Sequence, residues 1–278
     1  MTARTTGRTA TRPVGSDRAP APAPASAASS LQAAERRTER LRLIIQPVVV
    51  LLGLAGVLAW VFTSDLDAVE AAQLTTSNIV SLTRQHVLIT LTVAAIVLVV
   101  GVPLGVLVTR PWARWLSPVV VGIANVGQAA PAVGLLVLLY LATGRAGFWT
   151  GVLPLAIYAL LPVLRNTVLG LQQVDPMLKE AGRGCGMSTG AVLRRIELPL
   201  AVPYVLAGLR TALVLAVGTA TLVFLVSGGG LGILIDTGYK LDRTSILVVG
   251  AVLAVALALL VDWLGAVAET FLAPRGLR

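Results

Sequence analysis

The chain has 278 residues, 56% of them hydrophobic and 13% charged. Soluble domains carry about 25% charged residues, so composition excludes an ordinary soluble enzyme and points to a polytopic membrane protein. The net charge of +9 would suit a nucleic-acid binder, but the basic residues gather in the amino-terminal tail and in alternate loops, as on the inner side of a membrane, and no nucleic-acid partner is expected.

Residues 1–40 are rich in Ala, Pro, Ser, Thr and Arg and are predicted to form a disordered basic tail. The first apolar run, 43–62, is long enough to cross the ~30 Å hydrocarbon layer once. It is longer than a signal-peptide core, and the Ala-rich part precedes it rather than follows it, so 41–63 reads as an accessory uncleaved anchor. Asp65, Asp67 and Glu70 form an acidic outer segment. His86, the single histidine, is expected at the outer end of the second run, 87–109, which closes on Arg110, Trp112, Arg114 and Trp115. A third run, 116–142, is interrupted by Asn125, Gln128 and Pro131. The fourth, 148–164, opens on Phe148 and Trp149 and ends at Arg165 and Asn166. A fifth covers 201–225 and meets the glycine stretch Gly228–Gly232. The last, 244–261, reaches Asp262 and Trp263 near the inner surface.

Charge orients these six runs. The tail through Arg42 has eight arginines against three acids (+5), Arg110 and Arg114 give +2, residues 165–200 give +2, and residues after 263 give +1. The intervening outer segments give −2 at 63–86, +1 at Arg145 and zero at 227–243. Six spans with both termini in the cytoplasm satisfy the positive-inside rule. The expected fold is all-α, with about six transmembrane helices set in a lipid bilayer. Lone Cys185 excludes an internal disulfide, and the composition offers no Cys/His cluster for a metal.

One polar stretch, 175–199, stands apart from the apolar runs. Asp175 is suited to cap a helix and Pro176 to occupy its first position. Gly182, Gly184 and Gly186 then break that helix, and Ser188 caps a second one, carrying Leu193 and Ile196 on one face and ending at Pro199. Two short helices joined by a glycine bend make a rigid knob, and a knob between membrane spans is a docking element.

Polar groups inside the spans need a partner, a cavity or water. Asn125, Gln128 and Pro131 lie about one turn apart and fit either a substrate path or an interhelical hydrogen-bonded contact. Thr219 and Thr221 fit a path or hydroxyls satisfied on their own preceding turn. Tyr158 stands near mid-span as core or site. No Gly-Lys pair exists in the chain, so it carries no phosphate loop of its own for ATP.

The spacing Glu180-Ala181-Gly182, Gly186, then Ile196-Glu197-Leu198-Pro199 resembles the cytoplasmic loop signature of ABC importer permeases, with Gly182 where that family usually has alanine. The likeness extends over about residues 80–265, within an expected permease core of 80–268. The strings Gly122–Asn125, Tyr158–Thr167, Gly208–Ala212 and Gly218–Leu222 are similar to the osmoprotectant branch, which imports glycine betaine, choline, carnitine or proline betaine. The resemblance implies a type I importer permease fold in a bacterial plasma membrane. It also implies a second permease copy or sister, ABC ATPase subunits that hold the ATP, and an extracytoplasmic solute-binding protein.

It further implies that Glu180, Ala181, Gly182, Gly186, Met187, Leu193, Ile196, Leu198 and Pro199 dock the ATPase. Asn125, Gln128, Pro131, Tyr158, Asn166, Thr219 and Thr221 are the expected translocation-path residues, although Ala129-Ala130 departs from the family pattern there. No binding-protein domain is expected after the last run, so that 269–278 reads as a cytoplasmic tail and solute selection is expected to lie largely in a separate protein. Alternatives remain at this point: a permease for another trimethylammonium solute such as ergothioneine, or an ion-coupled secondary carrier. The carrier is disfavoured because the second to fourth runs have no internal acid and Arg210 and Asp262 are the only charges within or near the later spans. A purely structural anchor is disfavoured by the docking loop.

Overall fold

The computed structural model describes residues 44–61 and 63–272; the expected tail at 1–40, Phe62 and residues 273–278 of the expected cytoplasmic end lie outside them. Among the described residues every regular element is helical. Helix α1 (Ile44–Val61) and the short α2 (Ala68–Gln73) precede α3 (Thr76–Thr109). At 34 residues, α3 is about 51 Å long and outruns the second apolar run at its start.

The third run does not form one straight helix. It divides into α4 (Ser117–Ala129) and α5 (Ala132–Thr143), bent by 99°. Pro131 explains the break. It lacks an N–H and pushes Ala130 out of the helical region, to φ −66 and ψ 139. Each leg, about 20 and 18 Å long, is too short to cross the hydrocarbon alone.

Helix α6 (Phe148–Gln172) continues eight residues past the expected end at Leu164. The polar stretch follows as α7 (Pro176–Gly184) and α8 (Thr189–Val192), then α9 (Leu198–Ala220). After a 3₁₀ turn at Val223–Val226 come α10 (Gly232–Lys240) and α11 (Thr244–Leu272). The expected fifth span to residue 225 stops as a helix at Ala220, and the last span runs eleven residues beyond Val261.

The core lies where α3, α6 and α9 meet. Ile89, Val93 and Val97 of α3 pack with Leu155, Ala159 and Val163 of α6 and with Ala212, Ala216 and Ala220 of α9. The alanines, four residues apart, form a small-residue stripe that lets backbones approach closely, the usual source of packing between membrane helices. Gly208 marks the tightest part of the α6–α9 crossing, because a Cβ there would sit 2.7 Å from the Pro162 carbonyl oxygen and 2.8 Å from Asn166 Cβ. Gly208→Ala is therefore expected to cost about 1–3 kcal/mol through overpacking. Gly122→Ala, which enters open space, should change stability by no more than about 1 kcal/mol. Thermal unfolding of the detergent-solubilised protein measures both.

Candidate functional site

The polar stretch is a two-armed elbow. Asp175 Oδ1 accepts the Met177 N–H at 2.8 Å and Pro176 holds the first helical position, as the sequence predicts. Gly182 and Gly184 do not break α7; both lie within it. The turn falls at Gly186, whose φ of +80 is a left-handed conformation that suits glycine. Amides of Cys185, Gly186 and Met187 close back on Ala181, Arg183 and Gly182 carbonyls at 2.9–3.1 Å. Ser188 Oγ then accepts the Ala191 N–H at 3.3 Å, opening the second arm.

That arm does not end at Pro199. A π-helical turn, Leu193–Glu197, links α8 to α9, so that Thr189–Ala220 is one 32-residue helix. The π turn explains how the proline is accommodated. Leu198 N–H reaches back five residues to the Leu193 carbonyl, and Pro199, which has no N–H to give, falls in the first turn of the α-helical ladder that follows.

Gly182 is buried where the arms touch. A Cβ there would meet Ile196 Cδ1 at 2.7 Å, Val192 Cγ2 at 3.4 Å and Met187 Sδ at 3.5 Å. Glycine at this position thus brings the arms together, beyond lowering the helix propensity of α7. Of the expected docking residues, Met187, Leu193, Ile196 and Leu198 are half-buried, while Glu180, Ala181, Gly186 and Pro199 are exposed. The largest exposed apolar side chains of α7 are Met177, at 74%, and Leu178, at 47%, which sequence reasoning left out. The available signal was two apolar residues directly after a capped proline in an otherwise polar helix.

A second group missed in the sequence sits at the root of the elbow. Glu197, its side chain 5% exposed, receives a 2.6 Å hydrogen bond from Arg110 Nη2 at the end of α3. Arg110 also donates to the Val106 carbonyl and to Thr109 Oγ1. Removing one partner of a buried pair of this kind typically costs about 3–5 kcal/mol, because the other charge is left without compensation.

The expected path residues hold varied positions in the bundle. Asn125 Oδ1 accepts from Arg165 Nη2 at 2.7 Å, tying α4 to α6. Asn166 Nδ2 donates to the Pro162 carbonyl at 2.8 Å, beside the Gly208 crossing. Thr219 and Thr221 donate to the Leu215 and Gly218 carbonyls at 2.8 and 2.6 Å, satisfied on the preceding turn. Gln128 and Tyr158 are half-buried and Pro131 is exposed at the bend. Two grooves of about 540 and 440 Å³ are lined by α3, α5 and α6, with residues such as Ile96 and Ile157, and by α3, α9 and α11, with residues such as Leu91 and Leu264. None of the seven expected path residues lines either groove.

Asp262 is not at the end of its helix, since α11 continues ten residues, about 15 Å, beyond it. Its carboxylate takes both Nε and Nη2 of Arg210, at 2.6 and 2.9 Å, and Gln46 of α1 donates to it at 3.0 Å. Arg210 and Asp262 thus occupy each other in a two-pronged ion pair.

These features belong to a membrane permease: a broken apolar bundle without a nucleotide loop, and a polar elbow rooted in one of its long helices. The sequence model for the binding-protein-dependent transport system inner membrane component family matches residues 101–273, and the chain belongs to that family. It is a transporter subunit of the ABC importer class and not an enzyme; the ATP is hydrolysed by a separate subunit, and such permeases work with a solute-binding protein.

Similar proteins include the osmoprotectant import permease protein OsmW of Salmonella typhimurium, 36% identical over 202 residues covering 71% of this chain and 93% of that protein. The choline transport system permease protein OpuBB of Bacillus subtilis is 37% identical over 196 residues, 70% and 89% of the two chains. The carnitine transport permease protein OpuCD of Listeria monocytogenes is 41% identical over 165 residues, 59% and 73%. An inward-facing structure of the MetNI methionine ABC transporter has a TM-score of 0.61 at 25% identity, covering 70% of this chain and 96% of that one.

The two elbow glycines are expected to respond differently to alanine. Gly186→Ala forces a left-handed non-glycine residue and should cost about 1–2 kcal/mol. Gly182→Ala meets only the flexible tip of Ile196 most closely and should stay within about 1 kcal/mol of the parent. Thermal unfolding reads the stability of each variant, and co-purification with the ATPase subunit reads its docking.

Proposed function

We propose that this chain is the membrane-spanning permease of an ATP-driven importer for quaternary ammonium osmoprotectants: glycine betaine, choline, carnitine or proline betaine. The observation that carries the mechanism is the uninterrupted helix Thr189–Ala220, about 48 Å long, which begins in the elbow and ends across the bundle. A force applied to α8 passes along this one helix to the far end of α9, and α7 is coupled to it through the Gly186 turn and the contact at Gly182. The solute class rests on the similarity to osmoprotectant, choline and carnitine permeases.

In this reading the elbow seats in the ATPase subunit through Met177, Leu178 and the exposed part of 180–199, with both termini and the elbow in the cytoplasm of a bacterial cell. A second permease, either a copy or a sister chain, completes the path, and an extracytoplasmic binding protein delivers the solute. ATP-driven closure of the ATPases biases the bundle between two packings. Asn125, Gln128, Pro131 and Tyr158 remain candidates for the path once a second permease is in place, whereas the bonds of Asn166, Thr219 and Thr221 favour roles within the helix ladder.

Two measurements test the proposal. Proteoliposomes holding the permease, its ATPase and its binding protein should take up radiolabelled glycine betaine, choline or carnitine only with ATP; uptake on an ion gradient without nucleotide would instead establish a carrier. Cys185, exposed beside the elbow turn, should react with a membrane-impermeant maleimide from the cytoplasmic side alone. Labelling from outside would remove the elbow from reach of any ATPase.

A further inference from the structure

Helices α3 and α9 are fastened to each other near both ends. At the elbow end, Arg110 at the close of α3 meets Glu197 in the π turn that opens α9, at 2.6 Å. Toward the other end, the fully buried His86 of α3 holds α9 and the loop behind it. Its Nδ1 accepts the Leu231 N–H at 3.2 Å, which leaves the ring proton on Nε2, and Nε2 donates to the Val217 carbonyl at 3.0 Å. Gln85 Oε1 takes the neighbouring Gly230 N–H at 3.2 Å. The two fastenings are 24 residues apart on α3, about 36 Å along its axis. Between them, the packed core keeps the pair in contact through Ile89, Val93 and Ala216.

From this arrangement we infer that Arg110 and Glu197 are positioning residues for transport: they join α3 to the elbow, so that α3, α8 and α9 swing as one body when the elbow moves. Glu197 falls between the isoleucine and the Leu-Pro of the elbow's spaced pattern, and its carboxylate turns inward to α3 instead of outward to a docking partner. The π turn contributes to this. One extra residue in the helical repeat rotates the side chains around it, and the turn itself holds the exposed Arg194 and Arg195 and ends on the buried Glu197. Without the joint, a push on α8 would flex α9 at its root before reaching the packed core and the His86 fastening. This inference rests on the importer reading for its consequence in transport, but the joint itself is a statement about two helices.

The test uses the full permease assembled with its ATPase and binding protein, with radiolabelled glycine betaine as the probe. Glu197→Gln and Arg110→Gln should each lower the solute moved per ATP hydrolysed by at least about fivefold, the low end of coupling between distant sites. ATP hydrolysis itself should persist, and the exchanged pair Arg110→Glu with Glu197→Arg should regain part of the ratio. Equal losses of uptake and hydrolysis, with no gain in the exchanged pair, would reduce the ion pair to a structural support and overturn the inference.

A second readout leaves the pair intact. Spin labels at Trp112→Cys and Arg194→Cys, in a Cys185→Ser parent, should keep one separation in nucleotide-free and ATP-trapped complexes. A change of a helical turn, about 5 Å, would show that the joint opens and would also overturn it. Wild-type vesicles that move no glycine betaine while this separation stays fixed would remove the solute assignment and leave the joint standing.

Discussion

A carboxylate with almost no access to water must find a cation, and the fold depends on how Glu197 does so. Its partner, Arg110, closes a helix that begins far away at Thr76, and Glu197 itself stands in the π turn where the elbow becomes a span. The ion pair ties sequence-distant elements at the point where an aqueous loop enters the bundle. In such a setting the Coulombic attraction is weakly screened, and losing either charge leaves the other stranded. A related pairing stands farther along α9, where the partly exposed Arg210 and Asp262 neutralise one another across α9 and α11 and Gln46 of α1 adds a donor. Charges that would be unfavourable in hydrocarbon thereby become fasteners between helices.

Around these pairs the packing is made mostly by what is small. Gly105 approaches Thr167, Gly208 approaches the Pro162 carbonyl, and the α9 alanines face α3 and α6. Lipid tails are as apolar as leucine, so burial of large side chains gives little drive toward association between membrane helices. Close backbone approach, with many dispersion contacts per residue, supplies it instead. Bundles of this kind tolerate exposed leucines and valines on their outside, as on α1 and on the outer faces of α4 and α5.

Much of this is legible in the amino-acid sequence itself. Hydrophobic run length located the spans, and spacing within 175–199 located the elbow with both its caps, Asp175 and Ser188. Local rules failed where a tertiary or non-standard backbone solution intervened. The stop assigned to Pro199 presumes an α-helical ladder, and a π turn sidesteps it. Gly182, read as a weak point in a helix, instead lets the second arm press close. Asp262 and Arg210 looked like separate charges because 52 residues divide them, and no pattern in the chain announces such a pairing. His86, expected at an outer helix end, is fully buried and bonded through both ring nitrogens. The path residues remained ambiguous for a different reason: an amide or hydroxyl in a span has the same appearance whether it faces a solute or its own helix.

The right-angled pair α4 and α5 acquires a further meaning from the ion pair. Arg110 and Glu197 touch, so the exit of α3 and the entrance of α9 share a face of the bilayer. From there α6 leads back to the opposite face, where Gly147 at its start bonds the Val226 carbonyl beyond the far end of α9 at 2.6 Å. A chain leaving one face at Arg110 and re-entering from the other at Phe148 must have traversed the layer an odd number of times in between. Parity therefore makes the kinked legs a single crossing and excludes a hairpin that dips and returns. Taken as one span, the kinked legs join the five long apolar helices to make six candidate traversals among the described residues.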